Sequence, residues 1–199
     1  MGSHEALSRY MAKVLRHTAG QEGIHLTSDG YAVVDDILRI KSEYTLADVE
    51  AIVRRDSKKR FNLRDCPITG KRQIRANQGH SIQVKVDMQE IRTASEAPEV
   101  LHGTSHINWN SIKKEGLSRQ KRDHIHFAPS EHSPEVISGI PKRCTVIISI
   151  DIGRALRVGI PFFRSANNVI LSPGNMQGII PVSCFKRVID RRTREQLFP

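Results

Sequence analysis

The sequence predicts an α+β protein made of two lobes, and three observations support this prediction. The chain has 199 residues, which is enough for one large domain or two small ones. Apolar residues follow a helical period in the first part of the chain and a period of two in later parts. Residues 93–99 (TASEAPE) show no period and contain Pro98. We therefore place the boundary at Thr93, with lobes at residues 5–93 and 94–199.

The first lobe begins with an amphipathic helix, whose apolar residues at helical spacing are Leu7, Tyr10, Met11, Val14 and Leu15. Its other face is basic and ends at Arg16 and His17. The apolar residues of segment 33–38 predict a second, shorter helix. A third begins at Thr45, which has capping-box spacing to Asp48.

A β-hairpin is predicted after these helices. Alternation of apolar and polar residues starts at Phe61, residues 67–70 form a turn, and alternation returns at Ile82, Val84 and Val86. Helices followed by a hairpin predict a winged-helix-like lobe. Such lobes often bind nucleic acid, although a fold does not establish a function.

The second lobe is predicted to be rich in strands. Short apolar or alternating runs, separated by glycine and proline, occupy residues 100–101, 125–127, 145–150 and 169–171. Between the first two runs, Trp109, Ile112 and Lys113 predict a short helix that Gly116 ends.

Composition restricts the class of protein and its partners. Lys and Arg number 31 against 21 Asp and Glu, and the net charge of +10 favours polyanionic partners. The chain has only 6 Phe, 3 Tyr and 1 Trp, so few rings are available for nucleic-acid bases to stack on. Any affinity for nucleic acid must therefore come mainly from charge. No apolar run approaches the roughly 18 residues of a membrane span, so we expect no membrane partner.

The cysteines and the first residues indicate a compartment. Residues 1–8 lack the charged and apolar regions of a secretory signal. The chain has three cysteines, Cys66, Cys144 and Cys184, and an odd number argues against a disulfide framework. We therefore expect an intracellular protein, in the cytoplasm or the nucleus.

Several common sites are excluded by missing motifs. The chain has no G-x-G-x-x-G after a strand, no P-loop and no H-E-x-x-H, which excludes Rossmann, P-loop and zincin chemistry. The cysteines lack C-x-x-C spacing, which argues against structural zinc. His124 and His126 lie on one face of a predicted strand and could ligate a metal, but two histidines make no complete site, so no metal is expected.

Four segments place rigid donors beside small residues: 15–17 (LRH), 74–81 (IRANQGHS), 101–105 (LHGTS) and 161–171 (PFFRSANNVIL). In the second, Gly79 lets backbone approach a ligand, and the donors suited to an anion are Arg75, Gln78, His80 and Ser81. Each residue taken alone also fits a structural role. Arg16 fits a solvated helix face, Arg75 a cross-strand partner, and His102 a core histidine.

The order of these segments resembles the RNA (tRNA) 2'-phosphotransferase family over residues 7–186. The motifs that carry the resemblance are LSRYMAKVLRH (7–17), DGY (29–31), KKRF (58–61), IRANQGHS (74–81), LHGTS (101–105), RDHIHFAPS (122–130) and IPFFRSANNVILSPGN (160–175). The resemblance implies an enzyme that consumes NAD to remove an internal 2'-phosphate from RNA, typically at a tRNA splice junction. The implied products are 2'-hydroxyl RNA, nicotinamide and ADP-ribose 1'',2''-cyclic phosphate.

The resemblance also implies roles for individual residues. The catalytic quartet is Arg16, His17, Arg75 and Arg164, with His17 acting as hydrogen-bond donor or general acid. The second lobe is similar to the ADP-ribosyltransferase fold, and its implied NAD contacts are His102, Gly103, Thr104, His126, Ser165 and Asn167. The implied contacts to the RNA phosphate are Gln78, Gly79, His80 and Ser81. Residues 169–171 show no glutamate of the kind that protein-modifying relatives use.

Basic residues of the first lobe are candidates for the RNA backbone, or for a solvated basic face: Arg9, Lys13, Arg54, Arg55, Lys58, Lys59 and Arg60. We expect a monomer with catalysis in a cleft between the lobes. Three rival functions stay open: an ADP-ribosyltransferase that caps phosphorylated ends, a noncatalytic RNA-binding protein, and a metal-dependent phosphatase.

Overall fold

A computed structural model of the chain describes residues 3–82, 84, 88–131, 140–141 and 143–198. The chain divides into two compact units, Met1–Asp87 and Met88–Pro199. The sequence predicts this boundary at Thr93, but strand β4 (Met88–Ile91) pairs with β9 (Phe162–Ser165) of the second unit. A strand belongs with the sheet that satisfies its backbone hydrogen bonds, so the boundary precedes β4.

The first unit contains three helices: α1 (His4–Lys13), α2 (Val34–Ile40) and α3 (Leu46–Arg55). Ser3 caps α1, because its side chain accepts a hydrogen bond from the amide of Ala6. At α3 the predicted capping box is confirmed. The Thr45 side chain accepts from the Asp48 amide, and the Asp48 carboxylate accepts from the Thr45 amide at 2.8 Å.

The apolar period predicts a regular helix that continues to His17, but α1 ends at Lys13. The chain changes at Val14–Thr18 into a π-helical turn, and a short 3₁₀ turn follows at Gly20–Glu22. The Glu22 carboxylate accepts hydrogen bonds from the hydroxyls of Tyr10 and Thr18, on either side of Arg16 and His17. Single π-helical turns occur frequently at functional sites. This one carries two of the predicted catalytic residues.

A three-stranded antiparallel sheet completes the first unit, in the order β1-β3-β2, with β1 at Ala32–Val33, β2 at Phe61–Asp65 and β3 at Arg72–Ala76. The strand that pairs with β2 is β3, and of the predicted second arm at 82–86 only Ile82 and Val84 are described, neither of them in a strand. Ile82 packs beside the apolar core, and a Cβ built on Gly30 would lie 3.5 Å from Val84 Cβ. Ile82 and Val84 therefore both pack against the first unit. Val86 lies outside the described residues.

The two faces of this sheet have different chemistry. Phe61, Ile74 and Ala76 are buried in the core that the helices cover. Side chains alternate along a strand, so Arg64 and Arg75 lie on the opposite face. The sheet therefore turns an apolar face to the helices and carries a predicted catalytic arginine on its polar face.

The second unit is built mainly from two four-stranded antiparallel sheets, in the orders β4-β9-β10-β7 and β13-β12-β8-β5, with a two-stranded β11-β6 pair. Its other strands are β5 (Leu101–Thr104), β6 (Leu117–Ser118), β7 (Ile125–Phe127), β8 (Val146–Ile150), β10 (Ile170–Ser172), β11 (Ile179–Ile180), β12 (Phe185–Asp190) and β13 (Gln196–Phe198). Among its described residues, two α-helices accompany these strands, α4 (His106–Glu115) and α5 (Ile152–Arg157).

Both large sheets of the second unit contribute to one apolar core. Phe127 and Phe162 come from one sheet, with ring centroids 5.9 Å apart, and Ile148 and Val188 come from the other. Trp109 of α4 packs into the same cluster. The predicted strands at 125–127 and 145–150 and the helix around Trp109 are confirmed as β7, β8 and α4, and each buries apolar side chains in this core.

The mixed α+β class is confirmed by this architecture, whereas the winged-helix-like and ADP-ribosyltransferase-like assignments stay predictions. Within the described ranges, no helix is long and apolar enough to cross a membrane. Cys66, Cys144 and Cys184 are free thiols.

Candidate active site

In the first unit, the π-helical turn at Val14–Thr18 lies against the loop that follows β3. The Ser81 amide donates to the Arg16 carbonyl at 2.9 Å, and the Ser81 hydroxyl lies 2.8 Å from Nδ1 of His17. The π turn also contacts β3, which carries Arg75. The structure therefore brings together Arg16, His17 and Ser81, which the sequence analysis placed in one site from separate segments.

Gly79 allows the Arg16 side chain to approach this loop. Its φ is +87°, a conformation that L side chains rarely adopt, and a Cβ built there would lie 3.4 Å from Arg16 Nε. Gly79 thus leaves room for the Arg16 guanidinium, and its approach to a ligand stays a prediction.

Arg75 is almost fully buried on the polar face of β3, with 7% of its surface exposed. Its Nη1 donates to the Asp29 carbonyl at 3.3 Å, and its Cζ lies 4.8 Å from the centroid of the Tyr31 ring. The residue opposite Arg75 on β2 is Asn62. Asp29 and Tyr31 belong to the DGY motif, but the sequence analysis assigned them no contact with Arg75.

Asn77 anchors the loop that holds Gln78, Gly79, His80 and Ser81. Its side-chain amide donates to the Lys59 carbonyl at 2.7 Å, and its backbone amide donates to the Arg60 carbonyl at 2.8 Å. Of the predicted phosphate contacts, Gln78 and His80 are buried and Ser81 is exposed. The sequence analysis missed Asn77, although its place between a strand and a glycine loop is typical of a loop anchor.

In the second unit, His102 on β5 is held in one tautomer. Its Nδ1 lies 3.0 Å from the His126 carbonyl, and its ring meets the edge of Phe127 at 5.9 Å. A carbonyl oxygen can only accept, so Nδ1 carries a proton. Burial lowers the pKa of His102, with a smaller lowering from Arg122, so the ring is neutral and Nε2 is an acceptor.

Gly103 and Thr104, the next residues of β5, have a packing role. A Cβ on Gly103 would lie 2.9 Å from both Cys144 Sγ and Ile140 Cα, a distance that real Cβ contacts do not reach. Thr104 is buried, and its carbonyl accepts from the Thr145 amide at 2.8 Å. These contacts explain both residues structurally, and their contact with NAD stays a prediction.

Arg164 on β9 is held by two groups of its own unit. One guanidinium nitrogen donates to Asn168 Oδ1 and another donates to the Glu96 carbonyl. Asn168 has a positive φ of 61°, which asparagine tolerates better than most residues. Asn168 was missed from sequence. The signal that could have found it is its place in the tight turn between two strands.

Ser165 and Asn167 brace that turn between β9 and β10. The Ser165 hydroxyl lies 2.8 Å from Asn167 Oδ1, and it accepts from the Val169 amide at 3.1 Å. Both side chains are buried. They therefore set the place of Arg164 and Asn168, whether or not they also contact a ligand.

His126 is buried on β7, opposite Leu171 of β10. His124 lies nearby in sequence with its ring edge on Phe163, and burial lowers its pKa. Across the described ranges, no three or more His, Cys, Asp or Glu side chains are grouped so that they could hold a metal ion.

Of the seven basic residues predicted to hold RNA, Lys58 donates its backbone amide to Asp56 Oδ1 at 3.2 Å, and the other six divide into two groups. Arg9, Lys13 and Arg60 each form an ion pair, with Glu5, Glu22 and Asp56 respectively. Arg54, Arg55 and Lys59 form no ion pair within the part of the chain that the structure describes. These three, at the end of α3 and before β2, are the better candidates for phosphate contacts.

Comparison with known proteins identifies relatives. A family model described as "RNA 2'-phosphotransferase, Tpt1 / KptA family" matches residues 2–174. The chain is 41% identical to tRNA 2'-phosphotransferase 1 of Homo sapiens, over 96% of this chain and 78% of the human protein. It is 39% identical to the Danio rerio protein of the same name, over 91% of this chain and 83% of that one. A Schizosaccharomyces pombe relative is 45% identical, and the chain spans 50% of its length.

Proposed function

Because the chain belongs to the RNA 2'-phosphotransferase family, we propose that it transfers an internal 2'-phosphate from RNA, such as a tRNA splice junction, to NAD. The predicted family and enzyme class, a tRNA 2'-phosphotransferase, are confirmed by this membership. The proposal adds NAD as the consumed co-substrate. It also adds the products, which are 2'-hydroxyl RNA, nicotinamide and ADP-ribose 1'',2''-cyclic phosphate.

The observation that carries the proposal is the joining of the LRH and IRANQGHS motifs in the first unit. Arg16, His17 and Ser81 lie together, and the π turn contacts the strand of Arg75. Cationic and hydrogen-bonding donors at one place suit a dianionic phosphate monoester. We assign this cluster to the RNA 2'-phosphate.

The second unit fits a ribose-containing co-substrate at His102. A neutral imidazole with Nδ1 bound to a backbone carbonyl presents Nε2 as an acceptor, and a ribose hydroxyl is a donor of the required kind. NAD supplies a ribose carbon whose bond to nicotinamide breaks when the 2'-phosphate attacks. His102 then has the role of fixing the ribose hydroxyl.

In the second step, a ribose hydroxyl attacks phosphorus and the RNA 2'-oxygen leaves. Negative charge grows on the nonbridging oxygens, and positioned arginines stabilise it more in the transition state than in the ground state. We assign this role to Arg16 and Arg75. His17 donates a hydrogen bond or a proton to the leaving 2'-oxygen, because Ser81 holds Nδ1 and Nε2 is the other ring nitrogen.

Arg164 is assigned to the same reaction through the family motif. Asn168 and the Glu96 carbonyl hold its guanidinium before substrate arrives, which reduces the ordering needed in the reaction. The proposal includes an ADP-ribosyltransferase-like second unit that binds NAD. It also includes a winged-helix-like first unit whose Arg54, Arg55 and Lys59 hold the RNA backbone.

The test is to incubate the protein with a short RNA bearing one internal 2'-phosphate, with and without NAD, and to resolve all products by mass. We expect NAD-dependent conversion to 2'-hydroxyl RNA and an ADP-ribose cyclic phosphate. RNA that stays ADP-ribosylated would identify a capping enzyme. Release of inorganic phosphate that EDTA abolishes would identify a metal-dependent phosphatase. The absence of any product would favour a noncatalytic RNA-binding protein.

Arg16→Ala is the matched variant for that assay. Loss of one positioned donor to a developing oxyanion costs about 10²–10³ in rate. We expect nicotinamide release to continue while the ADP-ribosylated RNA accumulates, because the charge that Arg16 stabilises grows mainly in the second step. Normal turnover by this variant would contradict the role of Arg16.

A further inference from the structure

The polar face of the first unit's sheet holds a second arginine beside Arg75. In the register of β2 and β3, Asn62 lies opposite Arg75 and Arg64 lies opposite Gln73. Alternation along each strand puts all four side chains on the face away from the helices. Tyr31 directly precedes β1, whose Ala32 pairs with Ile74, so Tyr31 reaches the same face beside Arg75.

The Tyr31 ring contacts both arginines. Arg64 Cζ lies 3.6 Å from the ring centroid and Arg75 Cζ lies 4.8 Å from it. The Tyr31 hydroxyl donates to Asn62 Oδ1 at 2.8 Å, which holds the hydroxyl end of the ring beside β2. Only 4% of Tyr31 and 7% of Arg75 are exposed, so the contact of the ring with Arg75 is shielded from water. Cation–π contacts are strongest when they are desolvated.

Asp29 contacts the two arginines through different groups. Its carboxylate pairs with Arg64, at 2.7 Å from Nη1 and 3.4 Å from Nη2. Its backbone carbonyl accepts from Arg75 Nη1 at 3.3 Å. The Thr27 hydroxyl donates to Asp29 Oδ1 at 2.6 Å and holds the carboxylate in place. Arg64 is thus ion-paired with a carboxylate. Arg75 donates a hydrogen bond to a backbone carbonyl, whose position is fixed by the main chain.

We propose that Tyr31 is a positioning residue, whose ring holds the Arg75 guanidinium in the orientation that binds the RNA 2'-phosphate. Arg64, paired with Asp29, packs against the ring and keeps it in place, and does not itself bind the phosphate. The inference rests on the proposed function, because it takes Arg75 as a phosphate ligand. The DGY motif therefore acts on the reaction through Arg75.

The first experiment measures binding without NAD. The dissociation constant is determined for one RNA with an internal 2'-phosphate and for the same RNA with a 2'-hydroxyl. The Kd of the hydroxyl RNA divided by the Kd of the phosphate RNA reports the phosphate contact. We expect Tyr31→Leu to reduce this ratio about 30-fold, the effect of a desolvated cation–π contact. Tyr31→Phe keeps the ring and should retain the ratio. Tyr44→Leu removes another buried tyrosine ring of the first unit and should also retain it.

The second experiment follows a single turnover with NAD. Tyr31→Leu should release nicotinamide and accumulate ADP-ribosylated RNA, as we also expect of Arg75→Ala, while Tyr31→Phe should not. An unchanged binding ratio in folded Tyr31→Leu would overturn the inference, and so would equal defects in Tyr31→Phe and Tyr31→Leu or in Tyr44→Leu and Tyr31→Leu. Failure of the proposed function looks different, because the unaltered protein would then form no NAD-dependent product.

Discussion

The Ser81 hydroxyl lies 2.8 Å from Nδ1 of His17, although the two residues are 64 positions apart in sequence. The Ser81 amide also donates to the carbonyl of Arg16. One loop residue thus holds the π-helical turn by its backbone and orients an imidazole by its side chain. The place of His17 depends on the loop after β3 as much as on its own helix.

Ser81→Ala should slow the second chemical step. One hydrogen bond contributes about 1 kcal/mol net, which corresponds to roughly a 5-fold change in rate. Decay of the ADP-ribosylated RNA in a single turnover measures this step. Ser81→Thr keeps a hydroxyl and is the control. Decay at the normal rate in Ser81→Ala would show that His17 does not need this contact.

Gly79→Ala should reduce activity beyond its effect on stability. A side chain at a φ of +87° is strained by about 1–2 kcal/mol, and the new Cβ would lie in contact with Arg16 Nε at 3.4 Å, so a backbone shift that relieves the strain would also move Arg16. Gly70→Ala is the matched control, because Gly70 has a φ of +69° and nothing within 4 Å of the new Cβ. Both variants should lose melting temperature, but only Gly79→Ala should lose turnover. Equal turnover in the two variants would contradict a role for Gly79 in the active site.

The KM for NAD should depend on pH only under acidic conditions. Burial lowers the pKa of His102 below its ordinary value of 6.5, so the folded protein keeps the ring neutral above that pH. Protonation removes the Nε2 acceptor, so the KM should be level at neutral and alkaline pH and rise only as the pH falls below 6.5. The unfolded chain binds this proton first, so the His102 contribution to stability is also lost as the pH falls.

A KM series from roughly pH 5 to pH 9, with the melting temperature followed in parallel, measures both effects. His102→Ala is the control and should have a high KM at every pH. A KM that begins to rise above pH 6.5 in the unaltered protein would contradict the neutral acceptor.

Gly103→Ala should destabilise the second unit. The new Cβ would lie 2.9 Å from Cys144 Sγ and from the backbone Cα of Ile140, and overpacking of this kind typically costs about 1–3 kcal/mol. Gly153→Ala, within α5, would place its Cβ no closer than 3.5 Å to a neighbour and should stabilise by about 0.5–1 kcal/mol. Thermal unfolding compares them. Equal melting temperatures would show that Ile140 and Cys144 make room for the new Cβ at little cost.

Local sequence signals predicted the elements that depend on local interactions. The capping box at Thr45 and Asp48 and the end of α4 at Gly116 are contacts within a few residues, so spacing alone reveals them. The period of two at Ile82 and Val84 was misleading, because an alternating pattern shows that one side is buried but not which strand pairs with it. The π turn was also missed, since its apolar residues stay buried as in a helix.

The sequence by itself determined the family of this protein and the identities of its candidate catalytic residues, because those reside in ordered motifs that can be read along the chain. Only the tertiary structure decided what holds those residues. Ser81 on His17, Tyr31 on Arg75 and Asn168 on Arg164 depend on register, turns and ring orientation. Contacts of a few ångströms between distant strands and loops follow from how the backbone packs, and residue type and spacing do not specify that packing.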